Sequence, residues 1–162
     1  MLTSYNGNTI VYDEIGNPVR IGNYDAANDV WWSGYDLTWV GRQLMSYTEF
    51  YRYEADEELT YRTPVTFTYN ADGIRTGKTT YGFEHKYYLD GSQITAEMWT
   101  QNNVEYLLYY LYDENGAPIG LQYRTSNYAS GVFDFFFFDK NLQGDIIGIY
   151  NADGEKICTY TY

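Results

Sequence analysis

The sequence predicts an all-β fold, a curved antiparallel meander of long β-hairpins, on three observations. One kind of corner recurs: "YNADG" stands at Tyr69–Gly73 and, letter for letter, at Tyr150–Gly154, and "YDEIG" at Tyr12–Gly16 and "YDENG" at Tyr112–Gly116 share its form. The 162-residue chain is rich in strand formers, with 21 Tyr, 8 Phe and 4 Trp, and such side chains suit a pleated, half-buried surface. Fifteen Gly against three Pro fit many tight turns between strands. A residue that performs chemistry rarely needs a duplicate; a structural unit that repeats does.

Each element follows from local chemistry. The chain opens on a strand around "NTIVYD" that runs into the first corner. Asp or Asn suits such a corner because its side chain bonds the backbone two residues on, and Gly supplies the positive φ that other residues resist. An aliphatic follows at matched spacing after three corners (Val19, Ile119, Ile157), with Thr76 a weaker match after the fourth. "EFYRYEADEELTYR" (Glu49–Arg62) favours helix locally at "EADEEL". Its tyrosines and Thr-rich sequel instead predict a long hairpin with an acidic tip. "FTYN" puts Phe67 and Tyr69 on one face, and "CTYTY" does the same for Cys158, Tyr160 and Tyr162. "YLDGSQI" (Tyr88–Ile94) and "FDKNLQGDII" (Phe138–Ile147) are looser relatives of the corner. Two runs break the alternation, "VEYLLYYLY" (Val104–Tyr112) and "VFDFFFFD" (Val132–Asp139). Such runs predict strands covered on both faces, or strands with one face on a packed interior and the other against neighbours; the second run would invite aggregation at an edge, so it should be central.

No Ser/Gly linker or composition shift marks a boundary, so residues 1–162 read as one β-sheet segment, a piece of a longer repeat chain. The net charge of −12, from 22 acidic and 10 basic residues, repels phosphate backbones and argues against nucleic-acid binding. The longest apolar runs are too short to span a bilayer as a helix, and no signal peptide is read at the N-terminus.

Candidate chemistry is sparse. His85, the single histidine, has no partner at legible spacing and reads as an ordinary strand residue. The acidic group Glu54, Asp56, Glu57 and Glu58 lacks the pattern of a calcium loop and reads as a solvated turn, and the corner Asp113–Gly116 is discounted likewise. Cys158 reads as a packed small apolar residue. The glycines sit singly at turns, not in phosphate loops. No catalytic, cofactor or metal residue is assigned, and no enzymatic activity is expected.

The corners resemble the YD repeats of the Rhs (rearrangement hotspot) family. Tyr12, Asp13 and Gly16 match the motif, as do Tyr110, Tyr112, Asp113 and Gly116. Phe67, Tyr69 and Gly73 match with Asn70 in place of Asp, and Tyr150 and Gly154 with Asn151. "GYDLTWVGRQLMSY" (Gly34–Tyr47) is similar to a Trp-containing variant, and Phe138–Tyr162 resembles the early part of the Rhs-associated core. The resemblance implies a strip of antiparallel sheet that spirals into a hollow shell, β-solenoid-like, in a bacterial secreted or cell-surface protein. Such a shell encloses a C-terminal toxin or serves as an extracellular scaffold. The implied role is a non-catalytic wall segment whose partners are the rest of the shell and the toxin domain. The family's self-cleavage residues match no position here. Self-association through edge strands is a further expectation, with "EKICTYTY" the leading edge and "NTIVYD" the second.

A second reading stays open. Trp31, Trp32, Trp39 and Trp99, with the many tyrosines, could stack on sugars, and "YNADGIRTGKTTYG" is similar to choline- and glucan-binding surface repeats. Those repeats keep a near-constant period and a Gly-Trp step, whereas the corners here are irregularly spaced and Gly-Trp never occurs. Carbohydrate adhesion is therefore the alternative function.

Overall fold

The computed structural model of the chain describes residues 1–161. Among them are fifteen β-strands and no helix, so the predicted all-β class holds. The chain divides into two compact units, Met1–Gly82 and Phe83–Tyr162.

Unit 1 contains β1 (Ser4–Tyr5), β2 (Asn8–Tyr12), β3 (Pro18–Asp25), β4 (Val30–Val40), β5 (Gln43–Tyr51), β6 (Thr60–Tyr61), β7 (Val65–Tyr69) and β8 (Arg75–Thr80). They pair antiparallel in chain order, with one local departure: β6 and β7 both pair with β5, at Phe50–Tyr51 and Ser46–Tyr47 respectively. The acidic segment is thus the exposed tip between β5 and β6, as expected. Phe50 is fully buried, ringed by Trp31, Tyr61 and the Arg20 guanidinium. Gly22 and Gly34 face each other across β3 and β4, so close that a Cβ on either would meet the neighbouring carbonyl oxygen at 2.2 Å.

Unit 2 contains β9 (Phe83–Asp90), β10 (Gln93–Gln101), β11 (Val104–Tyr112), β12 (Pro118–Thr125), β13 (Asp134–Lys140), β14 (Ile146–Asn151) and β15 (Lys156–Thr159), each antiparallel to the next. Two-residue turns join several strands, and Asn102 and Asn103 both take positive φ, which Asn tolerates. The terminal strand ends at Thr159, although the Tyr160 amide still bonds the Ile147 carbonyl. Tyr162 lies outside the described residues.

Each unit is one sheet thick. Among the described residues, strand contacts within a unit run only between hydrogen-bonded neighbours, and buried apolar side chains are few: Val30, Phe50, Phe67 and Ala96. This corrects one expectation. β11 and β13 are central, but β13 is not covered on both faces: Phe135 is 40% and Phe137 49% exposed. With no second layer, a continuous aromatic run must leave one row of rings open.

Candidate functional site

The corner is the most repeated piece of geometry. In Asp13–Asn17 the Asp13 carboxylate accepts the amides of Ile15 (3.1 Å) and Asn17 (2.7 Å), and the backbone closes with Asp13 N–H to the Asn17 carbonyl and Gly16 N–H to the Asp13 carbonyl. The same bonds recur with Asn70, Asp113, Asn141 and Asn151 in the accepting position, at 2.8–3.1 Å from the side chain. The glycines Gly16, Gly73, Gly116, Gly144 and Gly154 all have φ between 78° and 89°, a region Gly enters without steric cost. Burial opposes it, yet the bonds from Asn17, Ile15 and Gly16 hold the Asp13 carboxyl below its ordinary value.

The two looser relatives separate here. "YLDGSQI" makes a tight two-residue turn at Gly91–Ser92, with Asp90 paired to Gln93. "FDKNLQGDII" makes a full corner, keyed by Asn141 and preceded by Lys140 in place of an aromatic.

What the aromatic adds is a tie back to an earlier segment, the stretch before β1 at the first corner and strands β5 and β10 at the other two. The Tyr12 hydroxyl donates to the Leu2 carbonyl (2.7 Å), Tyr69 to Leu44 (2.6 Å) and Tyr112 to Ile94 (2.5 Å). Leu44 and Ile94 each follow a Gly-x-Gln turn, and those glutamines reach the same corners. Gln43 Nε2 lies 2.9 Å from where a Cβ of Gly73 would stand, and Gln93 Nε2 donates to the Gly116 carbonyl (3.3 Å). At the first corner, buried Asn17 donates to the Gly41 carbonyl (2.7 Å). Corner and tight turn are therefore locked together within each unit.

A polar cluster lies in unit 2. His85 donates through Nδ1 to Glu97 Oε1 (2.7 Å), and the Tyr110 hydroxyl donates to Glu97 Oε2 (2.8 Å). Trp99 stacks between His85 (centroids 4.9 Å) and Tyr106 (5.0 Å). Burial first, and then the Glu97 charge, push the Tyr110 hydroxyl far above the ordinary phenol value. The sequence showed no partner for His85; the structure supplies one twelve positions on. The signal that was available is a lone acid, Glu97, two residues before Trp99 and so on its face of the strand. The His85 and Glu97 side chains are 12% and 9% exposed.

Trp31, Trp32 and Trp39 belong to unit 1 and Trp99 to unit 2. All four are half-buried. Trp31 packs on Tyr24 and Phe50, Trp39 donates through Nε1 to the Pro18 carbonyl (2.7 Å), and the Trp32 carbonyl accepts the Arg52 amide. Trp99 belongs to the polar cluster. In unit 1, Arg20 forms a two-pronged ion pair with Asp36 and lies 4.8 Å over the Phe50 ring. Among the described residues no three His, Cys, Asp or Glu side chains converge as a metal site requires, and no helix is long and apolar enough to cross a membrane.

Fold and corners together define a class of architecture: an antiparallel meander whose hairpins are tied corner to turn. No family model matches the chain. It is similar to the tRNA3(Ser)-specific nuclease WapA of Bacillus spizizenii and to the tRNA nuclease WapA of Bacillus subtilis, 23% identical to each over 168 aligned positions. Each match takes in 99% of this chain and 6% of the relative, so the chain spans a small part of their length. Among solved structures it is similar to a chain of a Photorhabdus luminescens Tc holotoxin pore, at 15% identity and a TM-score of 0.41, over 96% of this chain and 10% of that one.

Proposed function

We propose that this chain is a non-catalytic wall segment of a secreted or cell-surface YD-repeat protein of the Rhs type, one that encloses or displays a toxin carried elsewhere in the polypeptide. The observation that carries the reading is the fivefold recurrence of one hydrogen-bonded corner, three times with a tyrosine tie to an earlier backbone carbonyl. Repetition of that kind builds an extended surface from equivalent hairpins. Similarity to two nucleases over so small a share of their length fits a segment that accompanies an effector. The net charge of −12 supports the same division of labour, because an enzyme that grips tRNA needs cations.

The test is a tRNA-cleavage assay on the purified chain. No turnover is expected. Cleavage abolished by His85→Ala or Glu97→Gln in a folded variant would overturn the reading and make the polar cluster an active centre.

A further inference from the structure

Beyond its role as a wall, we propose that Asn6 is a site of spontaneous covalent modification, at which loss of ammonia converts the residue to isoaspartate and unfastens β1 from β2. The sequence holds two Asn-Gly steps, Asn6–Gly7 and Asn115–Gly116. In each, a glycine without a side chain leaves the asparagine carboxamide open to attack by the next backbone nitrogen. Both steps are exposed. The structure holds them differently.

Asn115 sits inside a fastened corner. Its amide donates to the Asp113 carboxylate (2.9 Å), the Gly116 amide donates to the Asp113 carbonyl (3.0 Å), and Gln93 Nε2 donates to the Gly116 carbonyl (3.3 Å). The nitrogen that would attack is thus engaged as a donor. Asn6 and Gly7 form the two-residue turn between Tyr5 and Asn8, with φ of 47° and 79°. Among the described residues no hydrogen bond holds the Gly7 amide or the Asn6 side chain, and a Cβ on Gly7 would meet nothing within 4 Å. The turn closes a strand of two exposed residues, Ser4 and Tyr5, so opening it uncovers little apolar surface and costs little.

The chemistry needs only water. The Gly7 nitrogen bonds to the Asn6 side-chain carbonyl carbon, and the side-chain nitrogen leaves as ammonia with the Gly7 amide proton. Water then opens the five-membered imide. Opening at the main-chain carbonyl carries the backbone through the former side chain and lengthens it by one methylene. A two-residue turn has no slack for that methylene, because the turn sets the register of its hairpin. The pairs Ser4↔Thr9 and Tyr5↔Asn8 are then lost. With them go the bond from the Ile10 amide to the Thr3 carbonyl (2.9 Å) and that from the Tyr12 hydroxyl to the Leu2 carbonyl (2.7 Å). The backbone edge of β2 is left open to another strand.

The whole chain, aged at mildly alkaline pH either folded or in urea and mapped by peptide mass spectrometry, tests the site. In the folded chain Asn6 should convert at least about tenfold faster than Asn115, and in urea the two should convert at similar rates. The isoaspartyl chain, separated from the parent, should exchange its Ile10 amide at least about tenfold faster than the parent does. Freshly prepared Asn6→Asp, which carries the charge without the added methylene, should keep the parental protection. Equal rates at the two steps in the folded chain, faster conversion at Asn115, or an isoaspartyl chain with a protected Ile10 amide would overturn the proposal. So would a preference for Asn6 that persists undiminished in urea, since it would then belong to the neighbouring sequence and not to the turn.

Discussion

The Tyr110 hydroxyl and Glu97 Oε2 meet at 2.8 Å on adjacent strands of unit 2, and the Glu97 side chain is 9% exposed. A buried carboxylate that loses a partner bears much of its desolvation cost. Tyr110→Phe should therefore destabilise the chain by about 1–3 kcal/mol, read as a lower urea midpoint with an unchanged slope. A midpoint equal to that of the parent would mean that water or other groups serve Glu97 equally well.

The tyrosines set an alkaline limit. Burial raises the values of Tyr110, Tyr112 and Tyr123, and hydrogen bonds to Asp29 and Asp134 raise those of Tyr24 and Tyr128, the last to about 12. A folded value above the unfolded one means that, above pH about 10, the unfolded chain releases protons the folded chain keeps. Stability from these groups is thus complete below that pH and is lost as pH rises through the folded values. Urea midpoints from pH 8 to 11 should hold level and then fall, less steeply in Tyr110→Phe.

The corners make a paired prediction. Asn does at 70, 141 and 151 what Asp does at 13 and 113, so Asp113→Asn should leave stability within about 0.5 kcal/mol. Asp113→Ala removes the acceptor of two amides and should cost about 1–2 kcal/mol. Equal effects of the two substitutions in thermal melts would show that the side-chain oxygen does not hold the corner.

Gly34→Ala should be more damaging than any corner substitution, because the clash at 2.2 Å is with backbone and no side chain can move aside. A loss of more than about 3 kcal/mol is expected. Expression as a folded chain of parental stability would show that β3 and β4 can separate there without penalty.

Edge pairing is the last expectation. β15 pairs on one side with β14, and free N–H and C=O groups on a strand edge recruit other strands. Sedimentation at low and high salt should show association that grows as salt screens the net charge of −12. A monomer at both salt concentrations counts against it.

The corners were readable in the sequence because their bonds are local: an acceptor, amides two and four residues on, and a glycine at a set offset leave a spacing on the page. The Asn141 corner is less legible because Lys140 stands where a tyrosine precedes the other corners. The meeting of His85, Glu97 and Tyr110 had no such spacing. It depends on register across two turns and on an irregularity between Ile94 and Ala96 that sets Glu97 opposite Tyr87 and Trp99 opposite His85. The exposure of Phe135 is not legible for a related reason: alternation says which side a ring takes, not whether anything covers that side.

The ties between corner and turn also bear on how the chain is made. Tyr112 reaches back 18 residues to Ile94, and Tyr69 reaches back 25 to Leu44; neither waits for anything later in the sequence. Ribosomes supply about 5–20 residues per second, whereas a hairpin closes in about 1–10 μs. Each hairpin can therefore be completed and fastened to its predecessor during translation, before the next has been synthesised, so that nascent strands meet their own neighbours before they meet another chain.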